Sequence, residues 1–207
     1  TEIGFYDTPG EARDVVVEGN RAYVADGAAG LRIVDVSNLS VPTEVGFLDT
    51  SDWAGAVAVS GSYAYVADAD RGLQVININD PANPQIVGSV DTPDHAAAVV
   101  VSGSYAYVAD RGSGLEVVDV TSPASPMVVG RAQTPSDARG VSVSGSYAYV
   151  ADDSSGLQVV DISDPSNLTT LATQAVGGQT RDVARARLTS AYVYLADDFS
   201  GPRQVEV

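Results

Sequence analysis

A chain of 207 residues with 44% hydrophobic content is long enough to bury a sizeable core, and it holds no cysteine, which excludes disulfides and thiolate chemistry. Its net charge of −16 comes from 27 acids, twenty-one of them aspartate, set against 11 bases that are all arginine. Such a surface repels phosphate backbones and anionic lipid heads, so nucleic acid is not an expected partner, and no apolar run approaches the ~18 residues that cross a bilayer.

Taken from its start, the chain opens at Thr1 rather than methionine, as expected of a processed protein or of a domain cut from a longer one. Residues 1–8, TEIGFYDT, match TEVGFLDT at 43–50. From there the sequence repeats. A valine opens each unit at Val15, Val57, Val99, Val141 and Val183, 42 residues apart every time. The segment AYVAD or a near copy ends at Asp26, Asp68, Asp110, Asp152 and Asp197. A hydrophobic run with a polar fifth residue ends at Asp35, Asn77, Asp119, Asp161 and Glu206. Fixed self-similarity at this period means an array architecture.

The second unit serves for all. Val57 and Val59 share a face of its first strand, and Tyr63 and Tyr65 share a face of its second, the two-residue alternation of a pleated strand. SGS at 60–62 is a tight turn, and DADRG at 68–72 opens on an aspartate expected to bond its own backbone. LQVINI then forms a third strand, NDPANP interrupts the ladder, and QIVGSVDT at 85–92 is the fourth and outermost strand. Four strands per unit and no helical period predict an all-β fold, a five-bladed β-propeller with four antiparallel strands per blade. A solenoid would need polar caps, and neither terminus resembles one. The last unit stops after its third strand, PRQVEV, so residues 1–8 are expected to close the ring against 181–207, making 1–207 one domain with no edge exposed.

The tandem pattern AYVAD…GLxVVDVSxPxxP…VG…T, with LRIVDVS and LQVVDIS close to the motif itself, resembles the LVIVD-repeat proteins found mainly on bacterial and archaeal cell surfaces. The resemblance covers essentially the whole chain. It implies a propeller and a surface or secreted location, and it implies no defined activity. The last unit, with VARARLTSAYVYLAD, departs furthest from the pattern.

Comparing units separates what every blade needs from what one blade can vary. Positions 12, 54, 96 and 138 are all alanine, with Thr180 in the fifth unit. One position earlier stand Glu11, Trp53, His95, Asp137 and Gln179, five residue types that include the only tryptophan and the only histidine. One position later stand Arg13, Gly55, Ala97, Arg139 and Arg181. In a propeller these loops surround the channel mouth, so Glu11, Arg13, Trp53, His95, Asp137, Arg139, Gln179 and Arg181 are the expected ligand-binding set. Tryptophan beside arginine, amide and carboxylate suits stacking on a sugar or gripping a carboxylate, which makes a carbohydrate or a protein or peptide the expected partner.

No catalytic residue is assigned. A glycan-acting enzyme would have to draw on Glu11, Asp14, Asp137 and Asp182, and the short connections leave no insertion to wall a cleft. A purely structural spacer is the other alternative. No cofactor is expected. Paired aspartates after AYVAD, such as Asp152 and Asp153, raise calcium weakly, but none sits in a calcium-loop series, and turn-capping is the expected role of the repeat-end aspartates. A monomeric, extracellular or cell-surface domain is the expected setting.

Overall fold

The structure is a computed structural model that describes residues 3–176, 178–185, 192–197 and 201–206. It is all-β among the described residues, with nineteen strands in five antiparallel sheets that follow the chain. The first sheet holds β1 (Asp14–Glu18), β2 (Arg21–Ala25), β3 (Leu31–Asp35) and β4 (Thr43–Leu48). The second holds β5 (Ala54–Ser60), β6 (Tyr63–Asp68), β7 (Leu73–Asn77) and β8 (Gln85–Val90). The third holds β9 (Ala98–Ser102), β10 (Tyr105–Ala109), β11 (Leu115–Asp119) and β12 (Met127–Ala132). The fourth holds β13 (Ala138–Ser144), β14 (Tyr147–Asp152), β15 (Leu157–Asp161) and β16 (Thr169–Gln174). The fifth has three strands, β17 (Thr180–Arg185), β18 (Tyr192–Asp197) and β19 (Arg203–Glu206).

Each of the first four sheets starts with a hairpin whose two-residue loop opens on glycine. Glu18 pairs with Arg21 and Ser60 with Tyr63, leaving Gly19 at φ 60° and Gly61 at φ 57°. A Cβ at either glycine would meet nothing, so it is the positive φ of a type II′ turn, and not space, that selects glycine here. Glycine in the outer strands has the opposite reason. A Cβ at Gly46, Gly88 or Gly130 would fall on the carbonyl oxygen of Pro81, Pro123 or Pro165 in the following sheet, so these glycines set how closely neighbouring sheets approach.

The core lies between sheets. Tyr65, Ala67, Leu73 and Val75 pack on Val99, Ala106, Val108 and Val118 of the third sheet. Ala64, Val66 and Ile76, the alternate residues of the same strands, pack on Tyr23, Leu31 and Ile33 of the first. Strands buried on both faces read as near-continuous apolar runs, which accounts for the constancy of AYVA across the first four units. Single antiparallel bridges, Gly27 to Ala54, Ala69 to Ala96, Arg111 to Ala138 and Asp153 to Thr180, tie each sheet to the next inner strand. Three of the four alanines expected from the sequence to be blade requirements, Ala54, Ala96 and Ala138, are bridge positions and fully buried, whereas Ala12 is exposed and makes no such bridge.

Two expectations change. The side chains of the repeat-end aspartates Asp26, Asp68, Asp110 and Asp152 bond residues of the preceding segment rather than their own turns, and that of Asp197 lies outside the described residues. Asp68 and Asp110 are fully buried and accept the hydroxyls of Thr50 and Thr92, each 18 residues earlier at the end of the preceding sheet, at 2.6 and 2.7 Å. They latch one sheet to the next. The turn-forming carboxylates belong instead to the third marker, where Asp35, Asp119 and Asp161 accept the N–H two residues on and are held below the usual range by Ser37, Thr121 and Ser163. The second change is at the last sheet, which has three strands rather than four. Residues 3–8 form no strand, and the outer edge of β19 carries no pairing among the described residues.

Candidate functional site

The inner strands β1, β5, β9, β13 and β17 converge on one cavity, about 270 Å³, to which each contributes. A second recess of about 310 Å³ lies above it at the mouth, lined by Arg13, Trp53, His95, Arg111, Arg139 and Arg181 together with Gly55 and Ala97. Local backbone geometry explains how consecutive residues reach the same space. In β5, Ala54 pairs with Asp68 and Ala56 with Ala67, so Gly55 is an extra residue without a partner. The same irregularity leaves out Arg139 in β13 and Arg181 in β17. A β-bulge bends its strand and re-aims a side chain, which here lets residues 181 and 182 both face the cavity.

Side chains at the two varied positions are matched within each unit. Where the bulge position is arginine, the residue two before it accepts a hydrogen bond or ion pair. Arg13 Nη2 lies 3.2 Å from Glu11 Oε1, Arg139 Nη2 lies 3.2 Å from Asp137 Oδ2, and Arg181 Nη2 donates to Gln179 Oε1 at 3.3 Å. Where the bulge position is small, as at Gly55 and Ala97, the residue two before it is a ring, Trp53 or His95. Variation in this slot is therefore paired, which random drift at exposed positions does not predict. Trp53 packs against Gly27 of the preceding sheet and lies 5.2 Å from the Arg13 guanidinium, and His95 Nδ1 lies 3.1 Å from Asp70 Oδ1.

All eight residues expected from the sequence thus surround one mouth, and five of them, Arg13, Trp53, His95, Arg139 and Arg181, line the recess. Glu11, Asp137 and Gln179 serve as acceptors for the arginines instead. Two residues were missed. Arg111 joins the arginines, and Asp153 forms a 2.9 Å ion pair with Arg139. Both directly follow a repeat-end aspartate, where the units read Gly27, Ala69, Arg111 and Asp153, so comparing that slot as well would have found them. Arg111 and Asp153 hold φ of 32° and 36°, a backbone region that disfavours side chains other than glycine's.

Below the arginines stand Asp14 and Asp182. Asp14 accepts the N–H groups of Val15 and, across the gap between sheets, Val57, at 2.8 and 3.0 Å. Asp182 accepts from Val183 at 2.7 Å, and loss of solvent, with the nearby Asp14 charge, holds its carboxyl above the usual range. Among the described residues no group of three carboxylate or histidine side chains is placed to hold a metal ion.

No curated protein matches the chain. Among solved structures it is similar to a functionally unknown protein from Desulfotomaculum acetoxidans DSM 771, with TM-score 0.75 at 12% identity, covering 100% of this chain and 73% of that one. It is also similar to the computationally designed Ika8 protein, with TM-score 0.74 at 10% identity over 93% of this chain and 57% of that one, so it spans little more than half of Ika8. A third likeness is to the designed Ika4 protein, with TM-score 0.65 at 11% identity over 80% and 98%. At such identities the likeness is one of fold. The sequence profile of the LVIVD repeat matches four times, at 9–50, 53–92, 93–134 and 135–173, and the chain belongs to the LVIVD repeat family.

Proposed function

We propose that the protein is a non-catalytic binding module that takes a carboxylate-bearing ligand at the mouth of its central channel. One observation carries the reading. In a chain of net charge −16 with 11 basic residues, four arginines line a single recess, roofed on one side by the lone tryptophan and the lone histidine. A planar guanidinium grips a carboxylate through two parallel hydrogen bonds, and a tryptophan face offers stacking area to the body that bears it. Bringing cations together costs repulsion, which an anion relieves. Sugars and peptides with carboxyl groups meet this description, and an acidic, lysine-free surface suits a protein displayed or secreted outside the cell.

The test is calorimetric titration with simple carboxylates and acidic sugars. Replacing Arg13 and Arg181, both exposed, by Gln is expected to weaken binding at least about tenfold with the melting temperature unchanged. Equal binding by the variant and the parent would remove the arginines from the site.

The same proposal includes a closed five-bladed ring, in which residues 3–8 supply the fourth strand of the last blade. Two contacts support it. A Cβ at Gly4 would fall on the carbonyl oxygen of Leu39, and Leu39 stands in the repeat slot of Pro81, which faces Gly46. Thr8 donates to Asp26 at 2.6 Å as Thr50 does to Asp68. The amino-terminal segment therefore sits against the first sheet as each outer strand sits against the sheet after it. The pairing of Arg32 with Phe47 in the first sheet translates by the repeat to Arg203 opposite Phe5. Because the chain has no cysteine, a Phe5→Cys/Arg203→Cys variant is expected to form one intramolecular disulfide on oxidation. If it stays reduced or links only between molecules, the ring does not close this way.

A further inference from the structure

The central cavity carries opposite charges at two depths. Arg13, Arg139 and Arg181 come from the first, fourth and fifth sheets, which are neighbours once the ring is closed. One residue deeper, about 3.3 Å along a strand, the first and fifth sheets contribute Asp14 and Asp182 to the same cavity. The facing wall, from the second and third sheets, is Gly55, Ala56, Ala97, Ala98 and Val99, uncharged and none larger than valine. Charge is thus gathered on one side of the channel and space on the other.

Each carboxylate is oriented by backbone N–H groups and keeps acceptor capacity beyond them, since an ionised carboxylate offers about four lone-pair sites and Asp14 uses two. Two like charges in a recess favour a cation between them, and the arginines above favour an anion. A simple anion entering this cavity meets the carboxylates, and a simple cation meets the guanidiniums. A molecule that carries both charges a few ångströms apart, in the right order, meets neither penalty.

We propose that the cavity is a site for a small zwitterion of the amino-acid class, whose carboxylate lies among Arg13, Arg139 and Arg181 and whose ammonium lies between Asp14 and Asp182. This rests on the anion-binding reading of the mouth and adds the second charge. The small wall at Ala56 and Ala98 gives the ligand's side chain its room.

A panel of free L-amino acids is titrated calorimetrically beside the matching acids without the amino group. At least one amino acid is expected to bind about tenfold or more tightly than its deaminated counterpart, the difference that one charge-assisted contact supplies. In an Asp14→Asn/Asp182→Asn variant, in which each amide oxygen can still accept one backbone N–H group, that preference is expected to vanish while the deaminated acid binds as well as before or better. If the deaminated acids already match the amino acids on the parent protein, the zwitterion inference fails and the carboxylate-binding reading stands. If neither set binds, both fall. If the double variant retains the preference, the ammonium is held elsewhere and the assignment of Asp14 and Asp182 is wrong.

Discussion

Tyr65 and Tyr194 occupy the same place in the second strand of their sheets, yet the first is 4% exposed and the second 39%. Tyr23, Tyr107 and Tyr149 behave like Tyr65, each packed beneath the following sheet. The partner surface shows the same contrast. Val57, Val99, Val141 and Val183 are 4–8% exposed, whereas Val15, in the same slot of the first sheet, is 57% exposed. The four junctions between consecutive sheets are packed, and the corresponding faces of the first and fifth sheets are bare among the described residues. The difference teaches that a blade's own sequence does not seal it, since equivalent side chains are buried or bare according to whether the next sheet is drawn against them.

Paired substitutions measure that contrast. Tyr65→Ala or Tyr107→Ala is expected to cost about 3–5 kcal/mol in chemical denaturation, because a ring is lost from a packed site. With its ring 39% exposed, Tyr194→Ala is expected to cost less than about 1 kcal/mol. A cost for Tyr194→Ala equal to the others would show instead that this face of the fifth sheet is packed like the rest.

The repeat made most of this architecture legible. A fixed 42-residue period and four short strands per unit set the sheet order, the hairpin turns at Gly19 and Gly61, and the ring of alanines that bridge sheets. The mouth was legible for a related reason, because Glu11, Trp53, His95, Asp137 and Gln179 break an otherwise constant pattern. What sequence could not show was contact between units. Asp68 reads as a local turn residue because its partner, Thr50, lies 18 residues back in another sheet, and no local rule points there. Bulges were hidden too. They depend on the register of β5, β13 and β17 against their neighbours, which no single unit's sequence states.

The latches themselves differ, and the third sheet supplies the sharper case. Gln74 and Gln158 are buried on the second and fourth sheets, and the same slot of the third holds Glu116, 1% exposed with Arg131 Nε at 2.6 Å. Burial pushes the Glu116 carboxyl up from its ordinary 4.5 to about 7, with Arg131 opposing and Asp110 adding to the rise. Between those values the folded protein keeps a proton that the unfolded chain has released, so stability falls as pH rises from 4.5 through 7. The loss is on the order of 3 kcal/mol across that window. Glu116→Gln, which copies the neighbouring sheets, is expected to flatten this part of the stability profile and to melt higher than the parent at pH 8. A parent whose stability rises over the same window, or a variant that follows the parent's slope, would mean that Glu116 is ionised in the fold.

A smaller gain than that at Glu116 is expected at the latch between the first and second sheets. Its aspartate, Asp68, has Thr50 on one oxygen, and its buried second oxygen has no partner. In the other latches that oxygen accepts a backbone N–H, from Gly10 to Asp26 at 2.8 Å, from Asp94 to Asp110 at 2.9 Å and from Ser136 to Asp152 at 3.3 Å. Each donor follows a proline, Pro9, Pro93 or Pro135, whereas the second sheet has Ser51 at φ 74°. Proline fixes φ near −65°, the turn that brings the next N–H inward. Left without that donor, the buried Asp68 carboxyl is pushed up to about 6 by desolvation. Ser51→Pro is therefore expected to aim the Asp52 N–H at Asp68, raise stability by about 1–2 kcal/mol at neutral pH, and lower the Asp68 pKa. It gives up only the exposed 3.2 Å bond from the Ser51 N–H to Asp49. The gain should shrink as pH falls below 6, where Asp68 protonates in the parent and no longer needs the donor. A variant that is stabilised equally at acid and neutral pH would owe its gain to chain stiffness alone, and the missing donor would not be what distinguishes this latch.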